Sequence, residues 1–206
     1  MKTIAIFGAG GHTKVIIDLI QLMNNYRIVG IYDDNKEGKF MDISILGKIN
    51  EKIDKTFDEY IIGIGDDNIR KKIYNQFTEL NWAVLIHPKS IVSKNVHINE
   101  GSVVFAGSVI QTDVFIGKHC IINTNCNIDH ESRICDFTSI CPGVTICGKV
   151  IINDTTFIGA NSTIIPCIEI GSNCIIGAGS VIIRNISNNK KVVGNPGRII
   201  KSIMEK

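Results

Sequence analysis

The triplet Asp129-His130-Glu131 places a histidine between two carboxylic acids, directly after Ile128. A histidine beside a carboxylate can act as a general base near neutral pH, because the acid fixes the imidazole tautomer and stabilises the imidazolium. The same triplet would also be ordinary at a solvated turn, where its charges face water. The triplet is a candidate catalytic site with His130 as the base.

Asparagines and glycines near this triplet could bind a substrate held at His130. Asn123 and Asn125 carry amides that donate and accept hydrogen bonds. Gly143 and Gly148 leave their backbone N–H groups approachable, and such a donor can polarise a carbonyl and hold a developing oxyanion.

A second candidate site is the glycine-rich stretch Gly8-Ala9-Gly10-Gly11-His12, between an apolar strand and a helix. Backbone N–H groups at a helix start suit a phosphate. The dinucleotide fingerprint G-x-G-x-x-G would need glycine where the chain has Thr13, although Asp33 lies about 20 residues on, as a ribose-binding acid would. Three interpretations stay open: a dinucleotide, another nucleotide-bearing ligand, which we favour, or plain turn geometry.

The other reactive residue types favour structural roles. The seven cysteines form no C-x-x-C pair, so a zinc site or a redox pair is poorly supported and no metal is expected. We interpret them as reduced thiols that serve as small apolar side chains, which suits a reducing compartment. His87, His97 and His119 are expected to be structural or solvated.

These candidates lie on two kinds of framework. From Ser90 to Asn185 the third residue of every six is Val or Ile, sixteen times in succession. Neither a helix nor a lone strand keeps a period of six, whereas a parallel β-helix places one inward aliphatic on each short strand. With no inserted loop in this stretch, groups that assist His130 must come from neighbouring repeats or a neighbouring subunit.

The first 87 residues alternate apolar strands and helices, which predicts a small Rossmann-like parallel α/β domain over 1–87 and a β-helix with a C-terminal cap over 88–206. The expected elements are listed in order: strands 2–8, 27–32, around 45–47, 60–64 and 82–86, with helices 14–24 and 68–80. The net charge of +2 excludes strong capture of nucleic acid, and no apolar run is long enough for a membrane span. We expect a cytoplasmic protein.

Several motifs together resemble one family of left-handed β-helix acyltransferases over essentially the whole chain. They are GAGGHTK, YDDN, IGIGDDNIR, IHPKS, NTNCNIDHES and GNPGR. They are similar to those of the bacterial sugar acetyltransferases that include the sialic acid O-acetyltransferases and the nucleotide-sugar N-acetyltransferases of glycan synthesis.

This resemblance implies left-handed coils, a homotrimer, acetyl-CoA between neighbouring β-helices and a nucleotide sugar on the N-terminal domain. It implies that His130 is the base, Glu131 orients it, Asn123 lies near the substrate amine and the Gly148 N–H contacts the acetyl carbonyl. The implied substrate-binding residues are Gly10, Gly11, His12, Asp33, Asp34, Asn35, Gly65 and Asn123. The implied acetyl-CoA-binding residues are Gly148, Gly159, Ala160, Gly177, Ala178 and Pro196.

One position departs from the resemblance. Many relatives carry a second histidine nine residues after the base, where this chain has Ser139, so His130 is expected to act alone. The resulting prediction is direct N-acetylation of the 4-amino group of a UDP- or dTDP-linked 4-amino-4,6-dideoxyhexose. The alternatives are O-acetylation of a sugar such as sialic acid, a non-catalytic scaffold or sugar-nucleotide sensor, and an NAD-dependent oxidoreductase.

Overall fold

The computed structural model describes residues 1–51 and 53–203, which form an N-terminal α/β part and a parallel β-helix. The N-terminal elements are β1 Lys2–Phe7, α1 Gly11–Met23, β2 Tyr26–Tyr32, β3 Lys39–Phe40, β4 Ile43–Gly47, β5 Glu59–Ile62 and α2 Asp67–Gln76. Their sheet has the order β3-β4-β2-β1-β5. Helix α1 packs on one face and α2 on the other, because both faces of the central strands are apolar.

The N-terminal sheet is parallel, as predicted, except at one edge. Strand β3 pairs antiparallel with β4. The intervening Met41 and Asp42 both have positive φ, of 48° and 62°, which is the backbone of a tight hairpin turn that reverses the chain. The expected strand 82–86 is also interrupted: Trp82 forms a single bridge with Tyr60, and only Leu85–Ile86 continues as β6.

The β-helix confirms the six-residue repeat. Its two-residue strands are β7 Ile91–Val92, β8 His97–Ile98, β9 Val103–Val104, β10 Val109–Ile110, β11 Phe115–Ile116, β12 Ile121–Ile122, β13 Asn127–Ile128, β14 Arg133–Ile134, β15 Ser139–Ile140, β16 Thr145–Ile146, β17 Ile151–Ile152, β18 Phe157–Ile158, β19 Thr163–Ile164, β20 Glu169–Ile170, β21 Ile175–Ile176 and β22 Val181–Ile182. The second residue of each strand is the repeated Val or Ile. From Val104 to Ile182 these side chains are at most 1% exposed and form the central core.

The corners between strands have a repeating backbone. A residue with positive φ recurs every six positions from Gly101 to Gly179, and Glu131 and Lys149 are two of them. The small residue that opens each repeat lies inside the corner, where its side chain can bind the next coil: the Ser102 hydroxyl donates to the Gly117 carbonyl at 2.7 Å. The buried Cys120, Cys126 and Cys174 thiols occupy the same position, and all seven cysteines are unpaired.

The strands stack into three sheets around the core. Sheet I runs β24-β23-β21-β18-β15-β12-β9-β6, sheet II β22-β19-β16-β13-β10-β7 and sheet III β20-β17-β14-β11-β8, where β23 is Lys190–Val193 and β24 is Arg198–Ser202. The chain passes from sheet I to sheet II at the Asn123 corner (residues 123–126 and their equivalents 18 residues on). It passes from sheet II to sheet III at the His130 corner (residues 129–132 and their equivalents).

The N-terminal part is built onto sheet I. Strand β6 is the first strand of that sheet, and the outward Val103, Phe105 and Ile121 share a core with α1. At the other end the antiparallel pair β23–β24 closes the sheet, and residues 204–206 of the predicted cap lie outside the described residues. None of the described helices is long and apolar enough to cross a membrane.

Candidate active site

His130 lies at the surface of the corner that bears its name, with about half of its side chain exposed. Its Nδ1 is 3.0 Å from Oε2 of Glu131, and its backbone N–H donates to Oδ1 of Asp129 at 2.8 Å. When Nδ1 carries the proton that binds Glu131, Nε2 presents a free lone pair. The local geometry is therefore that of a base held by an acid.

Glu131 itself lies between two side chains, His130 and Lys149. Lys149, on the next coil, places Nζ 3.6 Å from the same Oε2. The hydrogen bond from His130 is the main reason that the pKa of Glu131 lies below its ordinary value, and the Lys149 ammonium acts in the same direction. The carboxylate is thus charged throughout the neutral range. Sequence reasoning missed Lys149, whose only signal was its place 18 residues after Glu131.

Gly148 lies one coil beyond His130 on the same corner. A Cβ on Gly148 would come within 2.7 Å of Cε1 and Nε2 of the imidazole, so the ring occupies the space that a side chain would fill. Among the residues that the structure describes, the Gly148 N–H has no hydrogen-bond acceptor. The two residues predicted to serve as base and oxyanion donor are therefore in contact.

Asn123 does not join them within one chain. It lies at the Asn123 corner, with the whole of strand β13 between it and His130, and its Oδ1 accepts the Thr124 N–H at 2.8 Å. One coil earlier the same corner carries Phe105, whose ring meets His12 edge-on at 5.6 Å between ring centres. The Asn123 corner thus adjoins the glycine loop.

Apart from Gly148, the residues expected to bind acetyl-CoA lie on that corner, on the coils that follow Asn123, or at the end of the same column. Gly159 and Gly177 are one coil apart, each followed by an alanine, and the turn at Pro196 lies between β23 and β24 at the end of the column. A Cβ on Gly159 would come within 2.5 Å of the Ala178 backbone nitrogen. The structure therefore brings Asn123, Gly159, Ala160, Gly177 and Ala178 to one corner, and His130, Glu131 and Gly148 to another.

The glycine loop is open on its outer side. Gly10 and Gly11 are exposed, and a Cβ on either would meet nothing within 4 Å. Gly10 is the N-cap of α1, where no side chain caps the helix and the first turn carries no acidic residue. The first backbone N–H groups of the helix therefore remain available for an anion at its positive end. This is the geometry that a phosphate requires.

Of the two acids expected to bind substrate, Asp33 binds the backbone of this loop and Asp34 binds the backbone that follows β4. Asp33 accepts the Ala9 N–H at 2.6 Å and the Asn35 N–H at 2.9 Å. Asp34 accepts the backbone N–H groups of Ile49 and Asn50 at 2.8 and 3.3 Å. Both carboxylates thus hold neighbouring backbone in place, whereas the Asn35 side chain is exposed.

His12 is different in character from His130. Its Nε2 is buried and has no hydrogen-bond partner within the described part of the chain. Burial, with a smaller contribution from Arg70, lowers the pKa of His12 to about 4. His12 is therefore neutral at pH 7 and presents an uncharged ring to the loop.

Ser139, at the position of the expected second histidine, faces away from His130. It lies on sheet I, is 4% exposed and is bound by Arg70 and Asp67 of the N-terminal part. Beside it a cleft of about 750 Å³ separates the start of α2 from the outer face of sheet I, with Gly65 and Asp66 on one wall and Phe157 and Ile175 on the other. Sequence reasoning did not find this cleft, because its walls are far apart in the chain.

No group of three His, Cys, Asp or Glu side chains within 1–51 and 53–203 has the proximity of metal ligands.

Comparison with known proteins adds two matched segments. Residues 3–77 match the PglD N-terminal domain, and residues 149–184 match the bacterial transferase hexapeptide (six repeats). A UDP-N-acetylbacillosamine N-acetyltransferase of Bacillus subtilis is 36% identical over 115 residues, 52% of each chain. The uncharacterized protein L142 of Acanthamoeba polyphaga mimivirus is 35% identical over 110 residues, 53% of this chain and 22% of its own. The chain thus spans about half or less of these curated relatives.

Solved structures match over nearly the full length. The acetyltransferase domain of PglB from Neisseria gonorrhoeae has a TM-score of 0.92 and 29% identity, covering 97% of this chain and all of that one. A mutant perosamine N-acetyltransferase of Caulobacter crescentus, in complex with CoA and GDP-perosamine, has a TM-score of 0.92 and 26% identity over 98% of both chains. The fold is accordingly the left-handed β-helix with a Rossmann-like N-terminal part, and the chain is similar over nearly its whole length to the acetyltransferase domain of PglB and to the perosamine N-acetyltransferase.

Proposed function

We propose that this protein is an acetyl-CoA-dependent N-acetyltransferase acting on a nucleotide-linked amino sugar. The observation that carries the proposal is the contact between His130, held by Glu131, and Gly148, whose N–H is unpaired among the described residues. The full-length likeness to a perosamine N-acetyltransferase bound to CoA and GDP-perosamine supports the same assignment.

The chemistry needs one base and one oxyanion donor. The sugar amine forms a bond to the thioester carbonyl carbon, and the Gly148 N–H stabilises the negative charge that develops on the carbonyl oxygen. His130 Nε2 takes a proton from the attacking nitrogen, and Glu131 stabilises the imidazolium. The C–S bond then breaks, the proton passes to the departing sulfur, and the products are the amide and free CoA. A neutral amine is a good nucleophile, so no acyl-enzyme is required.

The N-terminal part supplies the nucleotide site in this proposal. The exposed N–H groups at Gly10 and Gly11 would bind the diphosphate, with Asp33, Asp34, Asn35 and Gly65 around the nucleoside. We propose the 4-amino group of a 4,6-dideoxyhexose as the acceptor, linked to UDP or dTDP. The presence of GDP-perosamine in one relative makes GDP a third nucleotide to test.

We further propose that the working form is a homotrimer. The Asn123 corner, with the glycine loop beside it, lies where the strands of sheet II begin. The His130 corner, with Gly148, lies where the same strands end. A three-fold arrangement can place the His130 corner of one subunit beside the Asn123 corner of the next, with acetyl-CoA between them. Each complete site would then take residues from two subunits.

The test is a screen of UDP-, dTDP- and GDP-linked 4-amino sugars with acetyl-CoA, following release of free thiol. We expect turnover with at least one nucleotide amino sugar and a loss of about 100-fold or more in kcat for His130→Ala. His97→Ala, which removes an exposed histidine from sheet III, is the matched control and should retain activity. Near-normal turnover by His130→Ala would rule out His130 as the base.

O-acetylation of a free sugar such as sialic acid is tested in the same screen. That reaction would leave the open glycine loop without a ligand, so we expect no turnover when the nucleotide is absent. Acetylation of the free sugar at a comparable rate would favour the O-acetyltransferase and overturn the proposed substrate class.

A further inference from the structure

Arg70 is a fully buried cation that the chemistry above does not use. It lies in α2 and is 1% exposed. Within the N-terminal part its Nη1 donates to the Ile64 and Gly65 carbonyls at 3.2 and 2.8 Å, and its Nη2 lies 2.6 Å from Oδ1 of Asp67. Arg70 therefore binds the backbone of the loop that follows β5.

The same guanidinium also binds the β-helix. Its Nε donates to the His119 carbonyl at 3.1 Å, and its Nη2 lies 3.2 Å from the Phe137 carbonyl and 3.0 Å from Oγ of Ser139. The Ser139 hydroxyl in turn donates to the Asp67 carboxylate. A planar fork with five donors suits this task, because it can bind acceptors from two directions at once.

Two of the three groups on the β-helix that Arg70 binds, Phe137 and Ser139, lie on the coil that carries His130. Phe137 and Ser139 follow His130 by seven and nine residues, within the single turn of chain that passes through β13, β14 and β15. Copies related by a three-fold axis parallel to the β-helix keep equal heights along it. The loop that follows β5 lies at the same position along the β-helix axis as this coil. In a trimer it would therefore lie at the same position along the axis as His130 of the neighbouring subunit.

A second contact extends the connection to the glycine loop. The Thr13 hydroxyl lies 2.6 Å from the Gly8 carbonyl and 3.0 Å from the Gly63 carbonyl, and Thr13 is fully buried. A Cβ on Gly63 would come within 2.3 Å of Thr13 Oγ1, so the two loops are in close contact. The residue that breaks the dinucleotide fingerprint thus joins both loops.

We propose that Arg70 is a positioning residue that fixes the height of the nucleotide-sugar loops relative to the coil of His130. It acts through Gly65 and, by way of Thr13, through the glycine loop, with Ser139 as its anchor on the β-helix. The serine at position 139 takes part in this contact between domains and not in proton transfer. The nucleotide sugar in this inference comes from the proposed function, whereas the contacts of Arg70 do not depend on it.

The kinetic test uses two variants. Arg70→Lys keeps the positive charge but removes the planar guanidinium, and Ser139→Ala keeps most of the packing but removes the hydroxyl that Arg70 binds. Because a misplacement of about 1 Å can cost about 100-fold in rate, we expect kcat/KM for the nucleotide amino sugar to fall by about 10- to 100-fold in Arg70→Lys. Ser139→Ala should show a smaller loss of the same kind. KM for acetyl-CoA should stay at the wild-type value in both, which also reports that the β-helix is folded.

Tyr74→Phe is the matched control. The Tyr74 hydroxyl also joins the two domains, through Lys118 at 2.9 Å and Glu100 at 3.2 Å, but it does not touch either loop. It should lower the melting temperature at most and leave kcat/KM unchanged. The positioning role is overturned if Tyr74→Phe lowers kcat/KM for the nucleotide amino sugar as much as Arg70→Lys does. It is also overturned if Arg70→Lys lowers the melting temperature without changing kcat/KM, or if it changes kcat/KM equally for the nucleotide amino sugar and for acetyl-CoA.

Amide hydrogen exchange separates this inference from the proposed function. In Arg70→Lys, exchange at residues 8–12 and 63–66 should be faster than in the wild type, and in Tyr74→Phe it should not. If no nucleotide sugar is acetylated by the wild type, the proposed function fails while this comparison still decides whether Arg70 holds the loops. Equal exchange in all three proteins would contradict the inference whichever substrate is used.

Discussion

Gly148 stands against the imidazole of His130 at a distance that admits no side chain. A Cβ at this position would lie 2.7 Å from Nε2, the nitrogen that Glu131 leaves free. Glycine therefore serves two purposes at position 148: it exposes a backbone N–H and leaves room for the His130 imidazole.

Gly148→Ala should lower kcat by about 10- to 100-fold, because the new methyl group must displace the His130 ring by about 1 Å from its working position. The backbone of Gly148 lies outside the positive-φ region, so alanine introduces no strain of its own. The measurement is a double-mutant cycle. In a His130→Ala background the ring is gone, and Gly148→Ala should then cost little; additive losses would contradict direct contact as the cause.

Glu131 and Lys149 should differ in importance although both charges lie at the same corner. Glu131→Gln removes the negative charge that stabilises the His130 imidazolium and leaves only a weaker amide acceptor, so it should lower kcat by at least about tenfold. Lys149→Met removes only an exposed ion pair with Glu131, which water and salt screen, so kcat should change by less than about fivefold. Steady-state kinetics at saturating substrates decides the order, and a larger loss for Lys149→Met would be the opposite of this expectation.

Asp33 should be needed for the nucleotide through its hold on the glycine loop. In Asp33→Asn a single amide oxygen replaces the two carboxylate oxygens that accept the Ala9 N–H and the Asn35 N–H. Losing one of these hydrogen bonds to a charged group should raise KM for the nucleotide sugar by about tenfold or more. Asp58→Asn is the control, since Asp58 makes the same kind of bond to the Thr3 N–H at the far end of β1, at 2.7 Å. An equal rise in both variants would argue for general destabilisation.

Stability should fall on the acid side because of His119. This side chain is buried against Tyr74, Trp82 and Phe137, and burial, with Arg70 and Lys118, lowers its pKa from 6.5 to about 3. Between these two pH values the unfolded chain binds a proton that the folded chain does not. The free energy of unfolding should therefore decrease as pH falls, by about 2 kcal/mol per such histidine between pH 6.5 and 5.

The check is urea unfolding at pH 7 and pH 5 at one protein concentration. His119→Asn should lose less stability over this interval than the wild type, and asparagine tolerates the left-handed backbone found there, with φ of 51°. His97→Asn, at an exposed position, should show the full wild-type loss. If His119→Asn loses as much as the wild type, His119 is not the group responsible.

The six-residue repeat made most of the β-helix predictable from the sequence. The contacts between the β-helix and the N-terminal part could not be predicted in this way. A period of six identifies the inward Val and Ile residues because burial selects them one strand at a time. The antiparallel β3 was missed because two positive-φ residues that are not glycine or asparagine, Met41 and Asp42, give little sign of a hairpin.

Site residues divide in the same way. His130 and Gly148 could be paired by counting 18 residues, because one coil has that length. The engagement of Ser139 by Arg70, and of Asp33 by Ala9, depends on tertiary packing between segments that no local pattern joins. The sequence showed only that Ser139 stands where many relatives carry a histidine and that Asp33 has the spacing of a ribose-binding acid, and only the fold reveals their neighbours.

The coil length has a consequence for how such a chain can change. Inserting or deleting 18 residues would move everything beyond that point by one coil, about 4.8 Å along the axis, and leave every side chain on its own sheet. Inserting or deleting six residues would rotate the rest of the β-helix by a third of a turn about its axis. A His130 corner beyond that point would then lie between a different pair of sheets. Active-site spacing in this architecture can therefore be altered by whole coils only, while substitutions at fixed length adjust the chemistry.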